Sequence, residues 1–216
     1  CLFISTNHYI FENTFLIVDQ IGRSNPTFPY FDGGVSISRT ARTYPTYLIF
    51  KPSMIFASFL LILYWVKTNK LINNLQQFES KNLFKTFGIL SAIFLIIHSI
   101  FLGIKFDNDL YKLFRRVIML VFIIFEITAQ AYLVATFFSL KEKLSNYINL
   151  KILKLKFLLV SLLIIIAVVS IPIISLPGDS FLGFNLKFFK HALEWDYFIG
   201  VITFYLLTFF MWKKTN

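Results

Sequence analysis

The chain contains a single cysteine, Cys1, so neither a disulfide nor a cysteine-based metal cluster can form within its 216 residues. Histidine is also scarce. His8, His98 and His191 fall in stretches expected at different depths, whereas a catalytic zinc takes three protein ligands and an open position. With no His-Glu-x-x-His pattern, no metal site is expected. The eight glycines form no phosphate-cradling motif, and there is neither a Gly-x-Ser-x-Gly elbow nor a Cys–His nucleophile pattern. No catalytic residue and no cofactor are therefore expected.

Formal charge is the next thing in short supply. Only 15% of the residues are charged against 57% hydrophobic, with a mean hydropathy of +0.71. A soluble domain carries roughly 45–50% apolar residues, and an excess of this size cannot be hidden in one small globule. The net charge of +10 suggests nucleic acid at first sight. Lys and Arg, however, are spread along the flanks of apolar runs rather than gathered on one aromatic-interleaved face, so nucleic acid is not an expected partner. The 28 phenylalanines, with abundant Ile, Leu, Lys and Asn, read as compositional background.

What the chain does have is long apolar runs. A spanning helix takes about 20 predominantly apolar residues to cross the hydrocarbon core. Five stretches qualify: 47–66, 86–104, 117–140, 157–176 and 195–212. The first carries only Lys51, near its start, where a long side chain can snorkel to the interface. The second holds His98 alone, the third the single charge Glu126, and the fourth no charge, with Pro172 near its end. The fifth is shortest, essentially Tyr197 to Trp212, and borrows a turn from His191 to Asp196. Tyr64, Trp65, Trp195, Tyr197 and Trp212 fall at the ends of these runs, as an interfacial aromatic belt does. The expected fold is an all-α polytopic transmembrane helix bundle over 47–216, preceded by a non-cytosolic loop region over 1–46.

That N-terminal region does not read as a span. Glu12, Asp19 and Arg23 interrupt its apolar residues, and Asn25-Pro26-Thr27-Phe28-Pro29 and Asp32-Gly33-Gly34 are turn and breaker signals. It is expected to be a folded loop lying against the helices. A chain beginning at Cys1 reads as a fragment, a processed product or a lipidated N-terminus, with residues expected upstream. Orientation follows from basic residues in the loops. Lys67, Lys70, Lys81 and Lys85, then Lys141, Lys143, Lys151, Lys154 and Lys156, then Lys213 and Lys214 lie on one side with only Glu79 and Glu142. The opposite side mixes its basic residues with many acids, which places the C-terminus inside and 1–46 outside.

Among residues with chemistry to offer, Glu126 stands first, since an ionisable group at mid-span is a functional candidate by default. Glu126 and Gln130 are four apart and share a helix face, and His98 is placed to meet Glu126 if the second and third spans are antiparallel neighbours. The same polar groups serve equally as glue between helices. Lys112, Arg115 and Arg116 at the outer mouth of the third span are candidates for holding lipid phosphate, as are Arg39 and Arg42 in the loop. Plain interfacial anchoring explains these as well.

Several short motifs carry a family resemblance. The loop Phe28-Pro29-Tyr30-Phe31-Asp32-Gly33-Gly34, continued by Ile37-Ser38-Arg39-Thr40 and Pro45 ahead of a span, resembles the loop after the first helix in the Frag/DRAM/Sfk family of polytopic membrane proteins. Glu194-Trp195 and Tyr205-Leu206-Leu207-Thr208-Phe209 are similar to that family's final helix, and Gln130-Ala131-Tyr132-Leu133 fits the third span. The resemblance implies six spans with both termini cytosolic, the sixth lying upstream of Cys1. It also implies work on membrane lipids, since relatives include autophagy modulators and GPI-lipid remodelling factors, and it supplies no catalytic motif. The leading expectation is a non-catalytic protein of membrane-lipid handling or regulation, with lipids as partners. An accessory subunit of a larger membrane complex is the alternative, followed by an intramembrane lipid-modifying enzyme using Glu126 as general acid or base.

Overall fold

The computed structural model describes residues 1, 3–4, 14, 28–41, 44–76, 83–102, 104, 109–175, 180–181 and 184–213. In hydrocarbon every backbone polar group must be satisfied within its own segment, and the apolar runs accordingly fold as helices. After a single turn, α1 (Ile37–Thr40), come α2 (Thr46–Gln76), α3 (Leu83–Phe101), α4 (Asp109–Ser139), the short α5 (Lys141–Leu144), α6 (Leu150–Ser175) and α7 (Leu186–Met211). A two-residue antiparallel pairing, β1 (Ser180–Phe181) with β2 (Phe184–Asn185), precedes α7. The helices α2, α3, α4, α6 and α7 are each long and apolar enough to cross a membrane. The protein is an all-α, multi-pass integral membrane protein.

Four of these helices are longer than the apolar windows read from the sequence, while α3 keeps the length of its window, 86–104, and lies three residues earlier. At 1.5 Å per residue, the 31 residues of α2 or of α4 extend about 46 Å, well beyond a hydrocarbon core of about 30 Å. Their length therefore carries them past a hydrocarbon core of that thickness, and helix continues into sequence that is no longer apolar. One correction follows. Lys151, Lys154 and Lys156, assigned above to the connection between the third and fourth spans, sit on the opening turns of α6. Likewise Lys67 and Lys70 belong to α2 and not to the loop after it.

Packing proceeds around the bundle from α2 to α3, α3 to α4, α4 to α6 and α6 to α7. The α7 face then meets α2 through Tyr205 and Tyr64, whose rings lie edge to face at 5.0 Å. The contact between α3 and α4 is the most extensive, and a stripe of small residues explains it. Gly88, Ser91, Ala92 and Ser99 are buried along one side of α3 and let the backbones approach. Gly88 also has the Trp65 ring seated where a Cβ would project, which draws α2 in. On the outside, Phe56, Phe59, Leu158, Ile165 and Phe209 are more than half exposed. That arrangement places oily side chains outward, as lipid solvent demands.

Two features lock the ends. At one end the 147–149 segment pairs with the chain after α7, through Asn149 N to Met211 O and Lys213 N to Tyr147 O, both 2.8 Å. At the other, residues 28–41 fold onto α7. Asp32 Oδ2 and Oδ1 accept from Phe28 N and Gly34 N, both at 2.8 Å, closing a turn. Gly33 then adopts a φ of 60° and lies flat against the Phe188 carbonyl, where any side chain would collide. Trp195 Nε1 donates to Val35 O at 2.9 Å, His191 Nδ1 lies 2.8 Å from Gly33 O, and the Tyr30 ring meets Trp195 at 5.4 Å. The described part of the N-terminal region is thus a folded loop against the helices.

Candidate functional site: a polar seam through five helices

Inside the bundle, polar groups converge from all five spans. Glu126 on α4 is fully buried, as is Gln130 one turn on. Ser91 Oγ on α3 donates to Glu126 Oε2 at 2.6 Å, and Gln130 Nε2 donates to Oε1 at 3.0 Å. The Tyr205 hydroxyl on α7 donates to the same Oε1. Helical side chains lean toward their own N-terminus, so Tyr205 carries its hydroxyl deeper than its Cα, to the level of Glu126.

Tyr64 on α2 continues the seam. Its ring packs on Tyr205, and its hydroxyl is 3.5 Å from Thr208 Oγ1 on α7. Thr208 gives its own proton to Phe204 O at 2.9 Å, so it accepts from the groups around it. Chief among them is Lys156 on α6, whose Nζ donates to Thr208 Oγ1 at 2.6 Å and stands 3.8 Å from the Phe204 ring centre. Lys156 exposes no surface at all. A buried lysine amine with one hydroxyl acceptor and an aromatic face is an uncommon arrangement, because desolvating a charge is costly without strong compensation. Two further buried atoms, Trp65 Nε1 and Gln130 Oε1, have no hydrogen-bond partner among the described residues.

The candidates read from the sequence divide sharply. Glu126 and Gln130 are joined as expected. His98 is not with them. Ser91, two turns earlier on α3, takes the place proposed for His98, whose own Nδ1 is buried without a hydrogen bond on the side of Arg115. Arg115 lies over the Tyr111 ring at 5.9 Å, and Tyr111 ties the start of α4 to the end of α3 through Phe101 O. Arg116 is exposed, whereas the Lys112 side chain and Arg42 lie outside the described residues. Arg39 lies half-buried in α1, where its backbone N–H meets the Ser36 cap. Of the family-like residues, Trp195 bonds the loop, Ser38 meets Ser36 Oγ at 3.2 Å, Pro29 and Pro45 are buried, and Glu194 is half-buried on α7. Among the described residues no group of three or more His, Cys, Asp or Glu is arranged to hold a metal.

Sequence reasoning missed Ser91 altogether, named Lys156 only as a base flanking a run and Tyr64 only as a belt aromatic, and quoted Tyr205 and Thr208 only as part of a family-like stretch. Chemically, the arrangement holds one carboxyl under three neutral donors with no exposed surface. Acid–base work on a substrate would require a reacting atom within roughly 2.6–3.2 Å of that carboxyl.

Fold and seam together define a multi-pass helical membrane protein whose spans close on a shared polar interior. No protein-family model matches the chain, and neither a curated protein nor a solved structure matches it significantly.

Proposed function

We propose that the protein is a non-catalytic component of membrane-lipid handling or regulation, of the Frag/DRAM/Sfk type. The observation that carries the non-catalytic part is the closure of Glu126, whose carboxyl is occupied by Ser91, Gln130 and Tyr205 and reaches no surface. The family part is supported by where the motif residues fall. Gly33 docks against His191, Trp195 bonds the loop backbone just beyond it, and Gln130 and Tyr205 share one carboxyl, so the short motifs fall where separate segments interlock. Membrane lipids are its partners, the C-terminus is cytosolic, and 28–41 faces the other side.

The test is paired. Deletion should change the lipid composition of the host membrane, and the Glu126→Gln variant should restore it, because no proton transfer is required of that group. Native mass spectrometry of the purified chain should show retained lipid. Unchanged composition on deletion together with an absence of retained lipid would overturn the reading, and failure of a folded Glu126→Gln protein to complement would overturn its non-catalytic part.

One observation favours a second reading, that of a subunit in a larger assembly. Only 11% of the apolar window of α2 is buried, the smallest share of the five spans, which leaves most of that helix open to a neighbouring helix as readily as to lipid. Cross-linking from Phe56 and Phe59 in native membranes to one recurring protein would support it.

A further inference from the structure

At the end of the bundle that bears the C-terminus, a cleft of about 450 Å³ opens between α2, α5 and the chain after α7. That volume lies within the range of small-molecule sites, roughly 300–1,000 Å³. One wall is a single face of α2, with Lys67, Lys70, Leu71 and Asn74 at helical spacing. The other is Leu144, Tyr147 and Trp212. This second wall is built: the backbone pairing of 147–149 with 211–213 fixes Tyr147 beside Trp212, and Trp212 stands edge to face on Phe137 at 6.3 Å.

Three properties of the cleft converge on one ligand chemistry. Lys67 and Lys70 project from adjacent turns, exposed, and neither meets an acidic group or other acceptor among the described residues. Two ammonium groups one turn apart, with no acidic partner among the described residues, form a locus for a phosphate, which lysine binds as a compact point charge. Trp212 and Tyr147 are the amphipathic aromatics that settle at headgroup level in a bilayer. Depth agrees as well, because Tyr64 is level with Thr208 and the next turn of α2 therefore lies level with Trp212. Finally, Leu71, Leu144 and the ring faces are apolar. A free anion gains nothing from them, whereas the glycerol and first acyl carbons of a lipid do.

We infer that this cleft seats the phosphorylated headgroup of an anionic phospholipid, with phosphate at Lys67 and Lys70 and the upper acyl segment against Leu71 and Leu144. The site is separate from the Glu126 seam. It deepens the lipid-handling reading and rests on it for its biological role, but the two fail separately: membrane composition on deletion tests that reading, and binding to the purified chain tests the site.

The full chain is placed in nanodiscs of phosphatidylcholine, alone or doped with phosphatidylglycerol, and the lipid retained on release is counted by native mass spectrometry. Phosphatidylglycerol should be retained about tenfold or more above its share, as two lysines near anionic lipid predict. The Lys67→Gln/Lys70→Gln variant should lose that preference, and Lys67→Arg/Lys70→Arg should keep it. Lys151→Gln/Lys154→Gln removes the same charge from exposed positions at the same end and should leave the preference intact. A loss equal to that of the Lys67/Lys70 pair would reduce the effect to diffuse attraction and overturn the site. So would retention that does not distinguish the two lipids. Competition by inorganic phosphate alone would show that a free anion is the ligand and overturn the lipid assignment, while competition only by a short-chain phosphatidylglycerol supports it.

Discussion

At the scale of single residues, Glu126 and Lys156 pose opposite problems of burial. Glu126 accepts from three donors, and a glutamine in its place can keep all three neighbours bonded while adding one amide N–H left over. The new amide N–H would point at Ser91 Oγ, and Ser91 would turn its proton to Gly88 O, already 2.9 Å away. Glu126→Gln should therefore cost about 1 kcal/mol, for its second amide N–H, whereas Glu126→Leu leaves Ser91, Gln130 and Tyr205 without their acceptor and should cost about 3 kcal/mol. Equilibrium unfolding in mixed micelles checks the pair, and a glutamine as costly as the leucine would show that the charge itself is needed. Lys156 has the reverse difficulty. Its amine has one hydroxyl acceptor and aromatic faces in place of water. Lys156→Met keeps the length of the stem and removes the desolvation, so stability should hold or rise by up to about 2 kcal/mol. A clear fall in unfolding free energy would mean that the amine is better compensated than these contacts allow.

At the scale of elements, two glycines predict how tightly the helices must approach. A Cβ on Gly88 would run into the fused rings of Trp65, which are rigid and fully buried. On Gly200 it would come 2.6 Å from Leu163 Cδ2, the far end of a side chain that can rotate. Gly88→Ala should thus destabilise by about 2–3 kcal/mol and Gly200→Ala by less than about 1 kcal/mol, with thermal denaturation in detergent as the readout. The reverse order would contradict the α2–α3 packing. Seeing the helices in the sequence was straightforward, because 20 oily residues with one charge admit little else in a bilayer. Their inward faces were not legible, since a helix apolar all round carries no contrast between core and lipid. Lys156 shows this best. It shares a buried stripe with Leu153, Val160 and Leu163, yet from the sequence it was one more lysine flanking a run. Ser91 was discoverable in principle as a member of the small-residue stripe on α3, while Tyr205 depends on how α7 rotates against α4, which no local pattern encodes. Helix ends were misplaced for a related reason: hydropathy reports where hydrocarbon stops, not where hydrogen bonding does.

At the scale of the molecule, the number of crossings fixes which surfaces can share a compartment. Cys1 lies at the start of α2, its thiol 3.7 Å from Thr46 O, and is exposed. Between that point and the 141–149 connection the chain crosses through α2, α3 and α4, an odd number, and α6 and α7 then return the C-terminus to the side of that connection. The stitching of 147–149 to 211–213 requires the same thing independently, because those backbone bonds cannot form across a bilayer. A membrane-impermeant maleimide should accordingly label native Cys1 from one face of sealed vesicles only. In a Cys1→Ser background, Glu142→Cys, at an exposed position, should be labelled from the opposite face only. Labelling of both positions from the same face would remove one crossing between them and break the odd count. With it would go the membrane-level placement of the Lys67, Lys70 and Trp212 cleft, since that cleft needs α2 to end on the side where α7 ends.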